Sequence, residues 1–460
     1  MRVTAAGPLP GVPYDVTVVG AGVVGSAIAR ELARHPHLDV ALVEAQDDVG
    51  QGTSKANTAI LHTGFDARPG TLEARLVREG ARLLAAYAAE SGIPVEPVGA
   101  LLVAWDQEQL AALPDLAHKA VRNDCHDTAR LDAAGLYARE PRLGPGALGA
   151  LHVPGERIVC PWSTTLAYAT QAVRGGVDLH LNTRVTGAGR RDGVHTLTTS
   201  RGPLHTRHLV NAAGLHADTL DRLLGHRTFT VTPRRGQLIV YDRLARDLVR
   251  HILLPVPTAL GKGVLVTPTV YGNVLLGPTA EDLDDRTATQ STAQGLAALR
   301  AQGRRILPAL LDEEVTAVYA GLRAATEHED YRISAHPDQA YVTVGGIRST
   351  GLSASLAIAS HVTGLLRASG LGLKDPVDLE PVRMPNLGAA FPRPHRQGGH
   401  VIVCHCEHVT LGEIRDALAG TIPPRSLPGL RRRTRAGAGR CQGFHCGATV
   451  RELFERAGRP

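Results

Sequence analysis

The chain has little lysine and few aromatic residues: Lys stands only at Lys55, Lys119, Lys262 and Lys374, and Phe, Trp and Tyr together make up 3%. The formal charge of +6 therefore rests on arginine. With Ala, Gly and Pro also abundant, this skew reads as coding bias rather than as a nucleic-acid surface. No apolar run reaches the roughly 18 residues of a membrane span. Met1 to Pro13 lacks the basic-then-apolar order of a secretory signal. A cytoplasmic protein is expected, with no nucleic-acid partner and no membrane span; peripheral membrane association stays open. Six cysteines are too few for a disulfide scaffold. With 43% hydrophobic and 20% charged residues, disorder and fibrous structure are excluded. The 460 residues imply two or three domains.

What is present begins with Tyr14 to Val19 (YDVTVV), a run suited to a buried parallel strand. Gly20-x-Gly22-x-x-Gly25 follows, Val23 to Arg34 reads as an amphipathic helix, and Leu38 to Val43 as a second strand closed by Glu44. In such a βαβ unit Gly20 allows the tight turn, Gly22 lets the backbone approach a pyrophosphate, and Gly25 lets helix and strand pack closely. The helix N-terminus offers free N–H groups to phosphates. Glu44, 19 residues after Gly25, stands where an acid bonds the adenosine ribose. NAD and FAD share this fingerprint. Further strand-like runs lie at Val194–Thr199, His208–Ala213, Gly236–Tyr241, Gly263–Pro268, Asn273–Gly277 and Tyr341–Val344.

Gly52 to Asp66 (GTSKANTAILHTGFD), Pro69 to Leu72, Asn211 to Gly214 and Gly345 to Leu352 (GGIRSTGL) resemble the D-amino-acid oxidase superfamily of FAD-dependent oxidoreductases. Within it, the chain is most similar to the anaerobic glycerol-3-phosphate dehydrogenase catalytic subunits and the L-2-hydroxyglutarate dehydrogenases. The resemblance spans nearly all of residues 14 to 370 and implies FAD as cofactor. It implies that Thr53, Ser54 and Asn57 wrap the pyrophosphate and flavin, that Val185 contacts the adenine portion, and that Gly214 closes a cofactor-lining strand. It also implies that Gly346, Gly351 and Leu352 bring a helix N-terminus to the flavin, where N–H groups favour a developing anion.

On the substrate side, the resemblance puts His62 beside the flavin ring as the proton-handling group. Arg323, in Tyr319-Ala-Gly-Leu-Arg323, matches an arginine that grips the substrate's anionic group, as a planar guanidinium fork can. Arg348 is a second anchor candidate, and Lys262 lies in a block (GKGVLVTPT) shared with the glycerol-phosphate-like members. Aerobic members carry His where this chain has Leu238, so the substrate stays open between glycerol 3-phosphate and a 2-hydroxy acid.

Cys404-x-Cys406 and Cys441-x4-Cys446 supply four thiolates. Such a set can hold a [2Fe-2S] cluster or zinc, and Cys-x-Cys fits zinc spacing poorly. Val403 to Glu407 and Arg432 to Gly443 resemble the bacterioferritin-associated-ferredoxin-type [2Fe-2S] domain, which implies the cluster. The arginine run Arg431, Arg432, Arg433, Arg435 and Arg440 reads as a solvated face, as cluster tuning or partner docking, or as a nucleic-acid arm.

The expected fold is α/β: a Rossmann-like FAD-binding domain interleaved with an antiparallel-sheet substrate domain, plus a small C-terminal [2Fe-2S] domain. The expected boundaries are a tail at 1–13, the oxidoreductase at 14–375, a linker at 376–400 and the cluster domain at 401–460. FAD-binding segments are expected near 14–75, 150–230 and 330–370, and substrate-domain segments near 76–149 and 231–329. The expected function is a dehydrogenase passing a hydride from a small anionic substrate to flavin, with electrons leaving through the cluster to a protein or quinone acceptor. An amino-acid or opine dehydrogenase subunit, or a non-catalytic relay subunit, is the alternative.

Overall fold

The structure is a computed structural model that describes residues 2–257, 263–389 and 401–458. Lys262 and the second half of the expected linker, 390–400, lie outside the described residues.

Tyr14–Val19 is a strand with almost every residue buried, as its apolar, β-branched composition requires of a strand covered on both faces. It pairs in parallel with Val40–Val43 on one side and with Gly202–Asn211 on the other. Tyr341–Gly345 adds a further parallel strand against Gly202–Asn211. The helices Val23–Ala33, Pro161–Arg174 and Gly351–Ala368 pack on this sheet and on one another. Four widely separated stretches of chain therefore meet at the C-terminal end of the strand Tyr14–Val19, where a doubly wound sheet binds its ligand.

The expected N-terminal tail is not free. Val3–Thr4 pairs in parallel with Asp178–His180 as the outermost strand, and the Arg201 guanidinium donates to the Ala6 and Gly7 carbonyls at 2.6 and 3.0 Å. A two-residue strand gives no periodic signal, which is why the pattern reads as a tail.

A second sheet runs in the order Glu281–Asp282, Thr232–Tyr241, Val274–Gly277, Leu265–Pro268, Ile252–Pro255, Ala100–Ala104, Gly149–Val153, Ala129–Asp132. The long strand Val315–Ala325 lies antiparallel along Thr232–Tyr241. The sheet is antiparallel as expected, apart from the parallel pair Ile252–Pro255 and Ala100–Ala104. These two strands come from distant parts of the chain, so no hairpin dictates their direction.

After the helix Gly351–Ala368 the chain is irregular to residue 389, yet it is pinned to the body. Val377 N–H donates to the Arg34 carbonyl at 2.7 Å, the Gln171 amide to the Glu380 carbonyl at 2.9 Å, and Met384 N–H to the Ser91 carbonyl at 2.8 Å.

The C-terminal unit has a short strand pair, Ile402–Cys404 with Val409–Thr410, and helices Leu411–Ala419, Leu427–Thr434 and Gly447–Arg456. Thr410 and Glu413 close a capping box at its first helix. Its core joins Val409, Ile414, Leu430 and Phe454 to Cys404 and Cys446.

Candidate functional site

The glycine fingerprint works as its spacing requires. Gly20 has φ +103°, and a Cβ there would sit 2.5 Å from the Ala212 carbonyl oxygen. A Cβ on Gly25 would meet the Gly20 oxygen at 1.9 Å, so any side chain would push the helix off the strand. The helix Val23–Ala33 has Gly22 at its N-cap with no side-chain cap, leaving its first turn open to an anion. Val23 N–H meets Ser54 Oγ at 2.9 Å, which ties the Gly52–Asn57 loop to that helix end.

A cavity of about 540 Å³ runs from here through the molecule. Gly20, Gly22, Gly25, Glu44, Thr53, Ser54, Asn57, Val185 and Gly214 line it, with Gly346 on the loop ahead of the helix Gly351–Ala368 and Gly351 and Leu352 at that helix's start. Glu44 accepts from Ala21 N–H at 2.8 Å and Gln46 N–H at 2.9 Å, and burial pushes its carboxyl up from the ordinary value. Asn57 accepts from Ala59 N–H at 2.7 Å and donates to the Ser54 carbonyl, shaping the loop from within. The second helix, Gly351–Ala368, likewise begins without a side-chain cap. Two uncapped helix ends, an acid and an open glycine turn in one cavity suit a dinucleotide such as FAD.

The same cavity is lined by His62, Arg323 and Arg348. His62 Nδ1 lies 2.8 Å from Glu156 Oε2. Glu156 is fully buried, and its other oxygen accepts from Thr63 N–H at 2.7 Å and Thr63 Oγ1 at 2.8 Å. Those donors keep it a carboxylate acceptor, which makes Nδ1 the protonated nitrogen of His62 and fixes the ring. Glu156 was not among the residues expected from sequence. It is a single acid after Gly155, 94 positions along the chain from His62, so no spacing signals it.

Arg323 projects from the strand Val315–Ala325, paired with Arg234 across the ladder. Arg234 is taken up by a two-pronged pair with Asp282, at 2.5 and 2.8 Å. Arg323 donates to the Thr279 carbonyl at 2.9 Å and, among the described residues, has no carboxylate partner. Burial and then the Arg234 charge lower its pKa, against a smaller opposing pull from Asp282, whose direct ion pair is with Arg234. A Cβ at Gly236 would stand 2.8 Å from the Arg323 Nη2, so this glycine makes room for the guanidinium.

Arg348 differs from the expected free anchor. It forms a 2.8 Å ion pair with Glu73 and donates to the Glu329 carbonyl, while Thr350 Oγ1 donates to the same Glu73 at 2.7 Å. Its charge is offset, and it fastens the Gly345–Gly351 loop to the start of the helix Leu72–Ser91. Lys262 lies outside the described residues.

In the C-terminal unit Cys404 and Cys446 are buried and Cys406 and Cys441 half-buried. The thiols of Cys406 and Cys441 are in hydrogen-bond contact, as are those of Cys404 and Cys446. Gly437 N–H donates to Cys404 Sγ at 3.4 Å, and N–H groups of His445, Gly443 and Phe444 hold the Cys441 thiol below its ordinary value. Burial and the neighbouring Cys404 push the Cys446 thiol up to about 12. Two contacting cysteine pairs, with backbone N–H groups on Cys404 and Cys441, are the donor type that an iron–sulfur cluster takes. Replacing Cys446 by Ser is expected to remove the iron and its visible absorbance while leaving FAD content unchanged, read by metal analysis beside the flavin spectrum.

The arginine run docks the unit onto the rest of the chain. Arg433 makes a two-pronged pair with the buried Asp48 at 2.6 and 2.7 Å, and Arg432 reaches the same carboxylate at 3.0 Å. Arg435 pairs with Glu407 at 2.7 Å, and Arg440 with Glu314 at 2.6 Å. These arginines are engaged within the chain, which leaves the nucleic-acid reading and the solvated-face reading without support for Arg433 and Arg435, both buried.

Comparison with known proteins agrees with this geometry. Residues 15–365 match the family of FAD dependent oxidoreductases, and residues 402–456 match the BFD-like [2Fe-2S] binding domain. The glycerol 3-phosphate dehydrogenase of Caloramator mitchellensis is 36% identical over 454 residues, covering 96% of this chain and 94% of that protein. The glycerol 3-phosphate oxidase of Mycoplasma pneumoniae is 32% identical over 363 residues, covering 76% of this chain and 94% of the oxidase. The solved structure of the dithionite-reduced L-alpha-glycerophosphate oxidase from Mycoplasma pneumoniae with FAD bound is similar at a TM-score of 0.73 and 30% identity, covering 82% of this chain and 97% of that one.

Proposed function

Since the chain belongs to the FAD-dependent oxidoreductase family and closes with a BFD-like [2Fe-2S]-binding domain, we propose that it oxidises the secondary alcohol of glycerol 3-phosphate. A cluster held by Cys404, Cys406, Cys441 and Cys446 would give the electrons a one-at-a-time way out to a protein or quinone acceptor. The observation that carries the reading is the Arg323 cation in the same cavity as the His62–Glu156 pair. An anion-binding fork and an oriented imidazole are what a hydroxylated anion needs in order to lose a proton and a hydride together. The names of the two glycerol 3-phosphate relatives agree with that choice.

Bound FAD supplies the hydride acceptor. The chain does the rest. Arg323 holds the phosphate through its planar fork. His62, with Nδ1 turned to Glu156, takes the hydroxyl proton at Nε2. Glu156 keeps the tautomer and steadies the imidazolium that forms. The loop that Arg348 and Glu73 fasten presents the N-terminus of the helix Gly351–Ala368, whose N–H groups favour negative charge on the reduced ring. Anchoring falls to Arg323.

The test is an anaerobic visible spectrum of the purified protein with glycerol 3-phosphate, 2-hydroxyglutarate and a panel of amino acids. Glycerol 3-phosphate should bleach the flavin band. Bleaching by an amino acid alone would replace this reading with amine oxidation. Arg323→Ala should keep FAD yet lose roughly ten- to a hundredfold in kcat/KM, the worth of a charged hydrogen bond. An unchanged rate in that variant would remove Arg323 from the substrate site.

A further inference from the structure

Between the FAD cavity and the four cysteines runs an unbroken set of aromatic and charged contacts. On the cavity side, the Asn57 carbonyl accepts from Tyr319 Oη at 2.8 Å, and the Lys55 carbonyl accepts from Trp162 Nε1 at 3.1 Å. Both residues belong to the loop at 52–57, in which Asn57 lines the cavity and Lys55 stands next to the lining residues Ser54 and Ala56. Trp162 stacks on Tyr271, with ring centroids 5.2 Å apart and planes 18° from parallel. Tyr271 is buried, and its hydroxyl donates to Cys160 Sγ at 2.8 Å. Over the same ring lies the Arg435 guanidinium, 4.3 Å from the centroid. Arg435 then donates to Glu407 at 2.7 Å and to Asn273 Oδ1 at 2.9 Å. Glu407 directly follows Cys406, whose carbonyl accepts from Arg243 at 2.9 Å.

Arg435 is an unexpected residue for its place. It caps the helix Leu427–Thr434 with φ +68°, a left-handed conformation that glycine adopts freely and that costs other residues about 1 kcal/mol. It is also 3% exposed, and a buried guanidinium needs several partners to offset lost hydration. The fold supplies all of them: a carboxylate, an amide oxygen and an aromatic face. Helix termination alone asks for none of this.

We propose that Tyr271 and Arg435 are the electrical junction between flavin and cluster: the Trp162–Tyr271 stack carries electron density from the FAD loop, and Arg435 sets the cluster's potential. The proposal rests on the reading that electrons leave through the cluster. Each transfer takes one electron from the two-electron-reduced flavin and turns one ferric iron ferrous. An external one-electron acceptor, ferricyanide in the test, empties the cluster between transfers. After the second, the flavin is oxidised again and the proton gained with the hydride returns to water. A guanidinium favours the reduced form of an anionic cluster, here by offsetting the buried Glu407 carboxylate next to Cys406, so losing Arg435 would leave that carboxylate to oppose reduction.

The experiment follows the full-length holoenzyme by rapid anaerobic mixing with glycerol 3-phosphate, watching the flavin band and then the cluster. Tyr271→Leu should leave flavin bleaching unchanged and slow cluster reduction about tenfold or more, the usual scale for losing an outer partner of a metal centre. Tyr271→Phe keeps the ring and should stay near wild type. Trp162→Leu, which contacts Lys55 and Tyr271, should repeat the slow second phase and serves if Tyr271→Leu loses iron. In an EPR-monitored titration Arg435→Gln should lower the cluster's midpoint potential, whereas Tyr271→Leu should not move it. Cluster reduction at wild-type speed in both leucine variants, or equal slowing in Tyr271→Phe, would overturn the junction, as would an unmoved potential in Arg435→Gln. If glycerol 3-phosphate fails to bleach the flavin, the substrate reading fails; photoreduction of the flavin then starts the same measurement, so the two readings fall separately.

Discussion

Flavin bleaching by glycerol 3-phosphate should fall by about 10²- to 10⁴-fold in His62→Asn, with FAD still bound, the range expected when a positioned general base is lost. Asparagine fills similar space and can still donate toward Glu156, so the loss would report proton handling rather than collapse of the wall. Glu156→Gln sharpens the test. The wild-type carboxylate accepts from His62 Nδ1, Thr63 N–H and Thr63 Oγ1 at 2.7 to 2.8 Å. A glutamine has one accepting oxygen, so its NH₂ would face a donor or force His62 into the other tautomer. The Nε2 atom would then carry the proton it is meant to receive. Glu156→Gln should therefore lower kcat with little change in KM, because the substrate anchor Arg323 is untouched. Stopped-flow bleaching over a range of substrate concentrations separates the two constants. Full activity in both variants would move the proton role away from His62.

Much of the cofactor site was legible because its requirements are local. The turn at Gly20 and the close approach at Gly25 are set by backbone geometry within six residues, and the strand Tyr14–Val19 shows in its own composition. Arg323 was legible through its YAGLR motif, and the cysteine pairs through spacing and resemblance. Glu156 and Asp48 were not. Each is a single acid whose meaning comes from a partner far along the chain: His62 for one, Arg433 for the other, 385 residues away. Periodicity carries no record of such pairs. The arginine run illustrates the same limit. Its charge was plain, but buried carboxylates on two different segments decide that it faces inward. Arg348 lines the cavity, yet Glu73, brought up by a neighbouring helix, takes its charge.

The Asp48 carboxylate should be the main clasp between the cluster unit and the oxidoreductase body. Asp48 and Arg433 are 1% and 7% exposed at their side chains, and Arg432 adds a second cation. Burial pushes the Asp48 carboxyl up, but the charges and hydrogen bonds of Arg433 and Arg432 outweigh it and hold the pKa below the ordinary value. Asp48→Asn would leave two arginines packed without a counter-charge. Breaking one side of a buried pair costs about 3–5 kcal/mol. The expected result is faster proteolytic release of the cluster unit and slower electron delivery to the cluster, while substrate still bleaches the flavin at the normal rate. Adding Arg433→Met to Asp48→Asn should recover part of the loss, since the worst term is the stranded charge rather than the missing bond. The sign of the pH effect follows. A depressed folded-state pKa contributes stability above the unfolded carboxylate value of about 3.9, and that contribution vanishes as pH falls through the folded value. Protease sensitivity of the wild type should thus rise only as pH falls below about 4, and Asp48→Asn should lack that rise because it no longer titrates there. Equal sensitivity of wild type and Asp48→Asn at neutral pH would show that the clasp lies elsewhere, with the Arg440–Glu314 pair and the Arg435–Asn273 bond left to hold it.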